Sequence, residues 1–323
     1  MMNRRAPTRS SLCKALAVLA VLSGVRAGAA EPVNLVAHYT ITMTHVRVGE
    51  LSWTVNFSDA TYLTSANGKA SGVLSVLVKG EGSFTTRGVM ASPLAPAVAR
   101  SDINDDDGVY ETEMTFESGV LTRVEDRGDT APPERIPVAK KLLQGVSDPL
   151  SAMLIASEQN AMAAANCRRT LKIYDGRRRY NLALSYKRVD KVEMTRGYAG
   201  PALVCGVVLQ PIGGYKPDSL LVRYLAGKDD LEMWFAPVKG TTYMAPVKAL
   251  MPTLVGTMEV SADEFFERRA GAAAQKSVEK PAELPAQPMP PAASPSEPAQ
   301  PAEATSVAPT KPIESAPLGP PKQ

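Results

Sequence analysis

The chain has 323 residues, with 36 lysines and arginines, 33 aspartates and glutamates and two histidines, which give a formal net charge of +3. Residues 1–30 hold five of the basic residues and no acid, so the rest of the chain has 31 basic and 33 acidic residues, a net charge of −2. Binding to nucleic acid needs a basic surface, and this balance argues against one. We therefore expect no nucleic-acid partner.

Residues 1–30 have the parts of a secretory signal peptide. An arginine-rich opening precedes an apolar run over residues 16–22, and small residues follow around Ala29 and Ala30. The run is shorter than the ~20 residues that a membrane-spanning helix needs. We expect cleavage near Ala29 or Ala30, export to the periplasm, and a mature chain that does not span the membrane.

Two cysteines remain after the predicted cleavage, because Cys13 lies within the signal peptide. Cys167 and Cys205 should form a disulfide, since an exported chain enters an oxidising compartment. The chain-entropy model gives about 4 kcal/mol for a closed loop of about 40 residues. The alternative is a pair of buried free thiols.

Apolar and polar residues alternate after residue 34, which is typical of half-buried β-strands. The stretch LVAHYTITM places Leu35, Ala37 and Tyr39 on one face. A turn near Gly49 should then lead into a second strand, whose apolar face carries Leu51, Trp53, Val55 and Phe57.

Further strands are predicted along the chain. Asn67 and Gly68 indicate a turn before GVLSVLVKG, and residues 110–116 alternate again. Asp175 and Gly176 lie between LKIY and RYNLALSY, where a type I′ hairpin turn needs positive φ, which glycine tolerates. The last strands are predicted in ALVCGVVLQ, SLLVRYLA, LEMWFAP and TLVGTMEVSA.

One segment, SDPLSAMLIASEQNAMAAA, has the pattern of a helix, with Ser147 as N-cap and Pro149 in the first turn. Many strands with few crossovers predict an antiparallel sheet, and a long sheet with one apolar face must curl or close to bury that face. We predict a mainly β fold: a strongly curved antiparallel sheet, an incomplete barrel or a β-spiral, with one helix near or inside the concavity.

The composition changes at the C-terminus. Residues 271–323 contain 13 prolines and no aromatic residue, which predicts a disordered Pro/Ala-rich tail. The predicted organisation is a signal peptide over residues 1–30, a β-rich domain over residues 31–270, and this tail.

Several stretches carry a family resemblance: LVAHYTITMTHVRVGELSW, SDPLSAML, CRRTLKIYDGRRRYNLALSYKR, RGYAGPALVCGVVLQPIGGY and MWFAPVKGTTYMAPVKALMPTLVGTMEVSADEF. They resemble the domain-of-unknown-function family 3108 of exported bacterial proteins, over most of residues 34–265. The resemblance implies a periplasmic β-rich domain of barrel-like form. More distantly, the chain resembles envelope proteins whose half-barrels carry lipids or lipoproteins. The resemblance supplies no catalytic residue, and the cysteine pair fits the family pattern.

Sequence motifs for catalysis are missing. The sequence has no G-x-S-x-G elbow, H-E-x-x-H motif, Walker A loop or C-x-x-C pair. The two histidines, His38 and His45, are seven residues apart and would face opposite sides of a regular strand. We expect no enzyme activity and no cofactor, although a pair of carboxylates stays open as a catalytic site.

The acidic run DINDDDGVYETE resembles a calcium loop only in part. Asp102, Asn104 and Asp106 have the required spacing and Glu113 takes the twelfth place, but Asp107 stands where the loop needs glycine. An acidic β-turn explains the run more simply, so we expect no metal site.

The strongest charge pattern is a basic ridge. Residues 168–191 have nine basic residues and two acids, whereas residues 102–134 have eleven acids and two arginines. Arginine suits phosphate geometry, so the ridge is a candidate site for an anionic envelope component such as lipid phosphate, bound by Arg168, Arg169, Arg177, Arg178 and Arg179. One alternative is a charged hairpin that blocks edge pairing. The other is that the two segments face each other, within the fold or across a dimer.

The leading interpretation is a non-enzymatic periplasmic protein of the cell envelope. Its concave β surface would hold a lipid, a lipoprotein or another apolar partner segment, with Leu51, Trp53, Val55 and Phe57 as the ligand face. Ordinary core packing is the alternative for these four residues. The second hypothesis is a scaffold protein that acts through its Pro-rich tail, and the third is a carboxylate-based enzyme that acts on envelope glycans.

Overall fold

A computed structural model of the chain describes residues 32–71, 80–105, 108–128, 135–157 and 160–269. The predicted signal peptide and tail lie outside these residues and stay predictions. The strands are, in chain order, β1 (Val33–Met43), β2 (Val46–Phe57), β3 (Thr61–Ala70), β4 (Gly80–Val89), β5 (Ala95–Asp105), β6 (Gly108–Glu117), β7 (Val120–Gly128), β8 (Ile155–Ala156), β9 (Arg169–Tyr174), β10 (Arg179–Glu193), β11 (Arg196–Gly197), β12 (Ala199–Gly213), β13 (Leu231–Pro237), β14 (Tyr243–Thr253) and β15 (Gly256–Arg269).

Thirteen of these strands form one open, curved antiparallel sheet in the order β7-β6-β5-β4-β3-β2-β1-β15-β14-β13-β12-β10-β9. Off this path, β11 pairs with β15 and β8 pairs with β14. The predicted mainly β fold with a curved antiparallel sheet is confirmed. The first and last described strands lie side by side, because β1 pairs with both β2 and β15.

The face of β1 and β2 that was predicted to be apolar is buried from Leu35 to Tyr39 and from Trp53 to Phe57. Leu35, Ala37, Trp53 and Val55 are at most 5% exposed and belong to the first and largest core. We call this the inner face of the sheet. The polar residues between them lie on the outer face, where His38, Thr54 and Asn56 are exposed.

Both faces of β12 are covered. Ala202 and Val204 point into the first core, whereas Leu203 and Cys205 point into a second core. The second core is closed by a short 3-10 helix, Ala164–Cys167, that precedes β9. The predicted disulfide is confirmed, because Cys167 and Cys205 are bonded across 38 residues of chain.

The long helix predicted over residues 147–165 is wrong. Helix α1 spans only Pro149–Met153, and its N-cap is Asp148 rather than Ser147. The helix stops because the next two side chains belong to different cores: Leu154 enters the first and Ile155 the second. Only an extended backbone sends successive side chains to opposite sides.

The predicted strand SLLVRYLA is also wrong. Helix α2 spans Leu220–Leu225, and the Ser219 hydroxyl accepts a hydrogen bond from the Val222 backbone N–H, as an N-cap does. Leu225 is buried, whereas Leu220 and Leu221 are exposed. The run of apolar residues therefore does not form a buried strand.

Two predicted turns lie elsewhere in the structure. The turn between β1 and β2 is at Thr44 and His45, with φ of +48° and +68°, rather than at Gly49. Gly49 lies within β2, where a Cβ atom would stand 3.1 Å from the backbone oxygen of Lys69. Asn67 and Gly68 lie within β3 and make no turn.

The predicted hairpin at Asp175 and Gly176 is confirmed, but its connection has four residues rather than two. The Asp175 carboxylate accepts hydrogen bonds from the backbone N–H groups of Arg177 and Arg178, at 2.9 and 2.6 Å. These bonds stabilise a longer turn than the predicted type I′.

Within the described residues, no helix has the length and apolarity to cross a membrane.

Candidate functional site

The four residues predicted as a ligand face divide into two groups. Trp53, Val55 and Phe57 are at most 4% exposed. The Trp53 indole donates a hydrogen bond to the Thr64 hydroxyl at 2.7 Å, and the Phe57 ring stacks on Tyr243 at 5.6 Å between centroids. These three side chains are part of the protein's own core. Leu51, closer to the end of the sheet, is half-buried.

An apolar cavity of about 170 Å³ lies beside Leu51 and Trp53. Ligand sites for whole drug-sized molecules have about 300–1,000 Å³, so this cavity accepts only the end of a chain-like group. Helix α1 forms one wall with Leu150 and Met153. The other walls come from residues of the sheet: Tyr39, Ala66, Met233, Pro246, Lys248, Ala249 and Val260.

Three methionines continue this apolar lining toward the end of the sheet. In the strand register, Met43 of β1 pairs with Met258 of β15, which pairs with Met251 of β14. Met251 and Met258 are the next inner-face positions beyond Ala249 and Val260 of the cavity wall, whereas Ile41 lies between Tyr39 of the wall and Met43. All three methionines are half-buried. We call these residues the methionine rim. Methionine side chains are flexible and polarizable, so they adapt to ligands of different shape.

The turn between β14 and β15 projects beyond the methionine rim. Leu254 is 57% exposed and Val255 is 77% exposed, and we call these two residues the apolar tip. The neighbouring β1–β2 turn holds the tip in place, because the Thr44 backbone N–H donates to the Thr257 carbonyl at 2.9 Å. Val46, in the same turn region, is 52% exposed. The cavity, the methionine rim and the apolar tip together form what we call the apolar end surface.

The five arginines of the basic ridge do not form one surface. Arg177 donates two hydrogen bonds to the Asp126 carboxylate of β7, at 3.0 and 2.7 Å, and its guanidinium lies 3.6 Å from the ring centroid of Tyr110. Arg179 is 4% exposed and donates to the Leu142 carbonyl at 2.8 Å. Burial lowers the pKa of Arg179.

Arg177, Arg178 and Arg179 therefore bind groups of the chain itself, and the tip of the basic hairpin faces the acidic segment within the fold. Arg178 lies 3.6 Å from Asp175. Arg168 is exposed and Arg169 is half-buried. A role in binding anions stays a prediction, and the exposed Arg168 is the residue best placed for it.

Comparison with known proteins identifies the family. The family described as "Protein of unknown function (DUF3108)" matches residues 38–263, which is more than half of the chain. The chain belongs to the DUF3108 family. No curated protein matches it. Among solved structures, it is similar to a β-barrel-like protein of the domain of unknown function DUF1849 from Brucella abortus, with 10% identity and a TM-score of 0.40 over 74% of this chain and 99% of the other.

A buried acid that the sequence analysis missed positions the helix of this DUF3108 chain. Asp148 is 1% exposed, and its Oδ1 accepts hydrogen bonds from the Thr86 hydroxyl at 2.7 Å and from the backbone N–H groups of Leu150 and Ser151. Its Oδ2 has no partner among the described residues. Burial raises the pKa of the Asp148 carboxyl.

Asp148 matters for the candidate site because α1 supplies one wall of the cavity. The Tyr62 hydroxyl and the Ser151 hydroxyl, 2.5 Å apart, tie the same helix to β3. The signal for this arrangement is in the sequence: aspartate is a strong N-cap residue and proline follows it at the first helical position. The preceding serine offered the same capping chemistry, so the choice between them depended on which side chain is buried.

The outer face of this DUF3108 domain has a wider polar groove of about 540 Å³. Four carboxylates line it: Glu50, Glu81, Asp102 and Glu111. Glu50 forms an ion pair with Lys69 at 2.8 Å, and the hydrogen bond and charge of Lys69 lower the pKa of Glu50.

Two residues of the calcium-like run, Asp102 and Asn104, lie on β5 in this groove, whereas Glu113 of β6 pairs with Arg100 at 2.9 Å. Asp106 and Asp107 lie outside the described residues. Within the described ranges, no group of three or more metal-ligating side chains is present.

Proposed function

We propose that this DUF3108 protein is a non-enzymatic protein of the cell envelope that binds an apolar chain at the apolar end surface. The ligand is a lipid acyl chain, free or as part of a lipoprotein. Its end enters the cavity beside Met153, and its length lies along the methionine rim toward Leu254 and Val255. The observation that carries the proposal is the continuity of these three apolar features on one face.

Exposure of the apolar tip supports this proposal. Leu254 and Val255 project from a hairpin turn and are more than half exposed, which costs free energy in water unless a partner covers them. Burying apolar surface contributes about 25 cal/mol per Å². The cavity alone is too small for a whole lipid, so the ligand must extend over the rim and the tip.

Location in the envelope is supported by the disulfide, because such bonds persist in oxidising compartments. The predicted signal peptide is in agreement with it.

A non-enzymatic role is supported by the carboxylates. Asp148 is the one acid among the buried residues that the structure describes, and it caps a helix. Glu50 has a lowered pKa, whereas a general acid for glycan hydrolysis needs a raised one.

Binding of a fluorescent long-chain fatty acid tests the proposal directly. The double variant Leu254→Ser/Val255→Ser removes the apolar tip without touching the core, and we expect about tenfold weaker binding. The matched control is Leu63→Ser, since Leu63 is a 44% exposed leucine on β3 that lies away from the apolar end surface. Equal affinity of the double variant and the parent protein would contradict the proposal.

Mass spectrometry of the protein purified from its native envelope gives an independent readout. We expect co-purified lipid in the parent protein and its loss in the Leu254→Ser/Val255→Ser variant.

The alternative function, a scaffold that acts through residues 271–323, is favoured by the packed core around Trp53, Val55 and Phe57. Deleting the tail separates the two functions, because a lipid carrier keeps its ligand whereas a scaffold loses its phenotype.

A further inference from the structure

The two edges of the sheet differ in what covers them. At β9, Ser147 covers the edge: its backbone N–H donates to the Lys172 carbonyl at 2.8 Å, and its carbonyl accepts from the Tyr174 N–H at 3.0 Å. At β7, no backbone hydrogen bond other than those to β6 is present among the residues that the structure describes. Seven of the nine β7 residues are exposed. An edge of this kind is a template for another strand.

The charges on the outer side of β7 alternate in sign at every second residue. Arg123, Glu125 and Arg127 share this side, and Glu125 forms ion pairs with both arginines. Directly opposite Glu125 on β6 stands Glu113. Like charges in directly opposite positions destabilise a sheet, so Glu125 gains from each further cation placed beside it.

One antiparallel register makes β7 complementary to itself. If two copies of β7 pair around Val124, Arg123 of each copy stands opposite Glu125 of the other, twice in one interface. Val124, which is 36% exposed, then packs against its counterpart. Pairing around Arg123 would place two arginines opposite each other, and pairing around Glu125 would place two glutamates opposite each other. Pairing around Asp126 would set Arg127 opposite Glu125, but it would also place the two Asp126 carboxylates opposite each other. Like charges disfavour all three of these registers.

We propose that two copies of this chain associate through β7, antiparallel, around a two-fold axis at Val124. The same strand serves both partners, as in isologous dimers. The two sheets become continuous, and Glu125 gains the arginine of the second copy. One added strand pair buries less than the ~1,000 Å² of a stable interface, so the dimer forms at high protein concentration and dissociates on dilution.

Sedimentation velocity of the full chain over a wide range of concentrations measures this equilibrium. We expect a reversible dimer in the parent protein. Arg123→Glu turns both Arg–Glu pairs into Glu–Glu pairs and should raise the dissociation constant by at least about tenfold. The double variant Arg123→Glu/Glu125→Arg restores both pairs with reversed charges and should return the constant to within about threefold of the parent value.

Arg127→Glu is the matched control. Arg127 forms the same ion pair with Glu125 within the strand, and its side chain is 69% exposed against 70% for Arg123. In the proposed register the residue opposite Arg127 is Leu121 of the second copy, which in its own chain lies opposite Phe116 on the inner side. Arg127 therefore meets no charge of the second copy, and dimerisation should stay within about threefold. A parent protein that is monomeric at every concentration would overturn the proposal. Equal weakening by Arg123→Glu and Arg127→Glu, or a charge-reversed variant that stays monomeric, would also overturn it.

Discussion

The strands β1–β7 and the strands β9–β15 bury their side chains in different ways. From β1 to β6, the inner face is buried and mostly apolar, although it includes the buried hydroxyl residues Thr64, Thr86, Ser101 and Thr112. The outer face is more polar and more exposed, as the neighbours Ala37 and His38 show. At β12 and β13 both faces are covered, with Val204 in the first core and Leu203 in the second. The difference arises because the chain between α1 and β9 packs over the second face and is bonded to it by the disulfide.

One added segment therefore changes the pattern of apolar and polar residues that a strand needs. A strand with one solvated face alternates, whereas a strand covered on both faces has a continuous apolar run. LSWTVNF of β2 has the first pattern and ALVCGVV of β12 has the second. The second half therefore depends on its cover, and the first half depends only on its own sheet.

The largest expected effect comes from the disulfide. Changing both Cys167 and Cys205 to alanine should lower the free energy of unfolding by about 4 kcal/mol, because the reduced chain gains entropy when it unfolds. Urea unfolding measures the loss. Hydrogen exchange should show it at β12 and β13 more than at β2 and β3. Equal protection changes in the two regions would contradict the proposed dependence of the second half on its cover.

The next largest loss of stability is expected at Leu154 and Ile155, where the chain crosses from the first core to the second. Leu154→Ala and Ile155→Ala should each cost about 2–5 kcal/mol, since both side chains are 2% exposed. We expect Leu154→Ala to speed hydrogen exchange in β1 to β3 and Ile155→Ala to speed it in β12 and β13. Leu220→Ala, at a residue that is 65% exposed, is the control and should change stability little.

A smaller effect is expected where the basic hairpin meets the acidic strands. Arg177→Ala removes the paired hydrogen bonds to Asp126 and the contact with the Tyr110 ring, and should cost about 1–2 kcal/mol. A double-mutant cycle with Asp126→Asn measures the coupling between the two residues. Arg168→Ala, at an exposed arginine, should be neutral. Additive effects of Arg177→Ala and Asp126→Asn would show that the pair does not join the two regions.

The smallest effect concerns pH and the buried Asp148. Because burial raises the pKa of this carboxyl in the folded state, the folded protein binds its proton more strongly than the unfolded chain does. Stability should therefore fall as the pH rises from the unfolded pKa to the folded one. In Asp148→Asn the side chain is uncharged and still caps the helix, so this loss should disappear. Parallel stability curves of parent and variant against pH would refute the assignment.

Much of the first half of the fold was predictable from sequence. The alternation in LVAHYTITM and in residues 110–116 gave strands on the correct face, because one side of these strands meets water. Turn chemistry was less informative. Glycine was taken as a turn signal at Gly49 and Gly68, but both lie within strands, and the actual turn uses Thr44 and His45 with positive φ.

The candidate site was predictable only in part. The alternation in β2 predicted one face for Leu51 and Trp53, which line the cavity, and for Val55 and Phe57, which pack only in the core. A residue's position along the strand decides whether it lines the cavity or packs only in the core. The boundary between the two roles is set by where α1 lies. The methionine rim could not be predicted, because Met43, Met251 and Met258 come together only through the pairing of β1 with β15.

That pairing also has a consequence for how the molecule is made. β1 is among the first strands to leave the ribosome, whereas β15, which pairs with it from Val33 to Met43, is the last described strand to emerge. Until then, one edge of β1 lacks its partner strand. The contacts that β1 makes there come from residues more than 200 positions away in the chain. Contacts so distant in sequence form slowly and leave strand edges open to other chains. We therefore expect the β1 edge to stay open in the nascent chain until β15 has been synthesised.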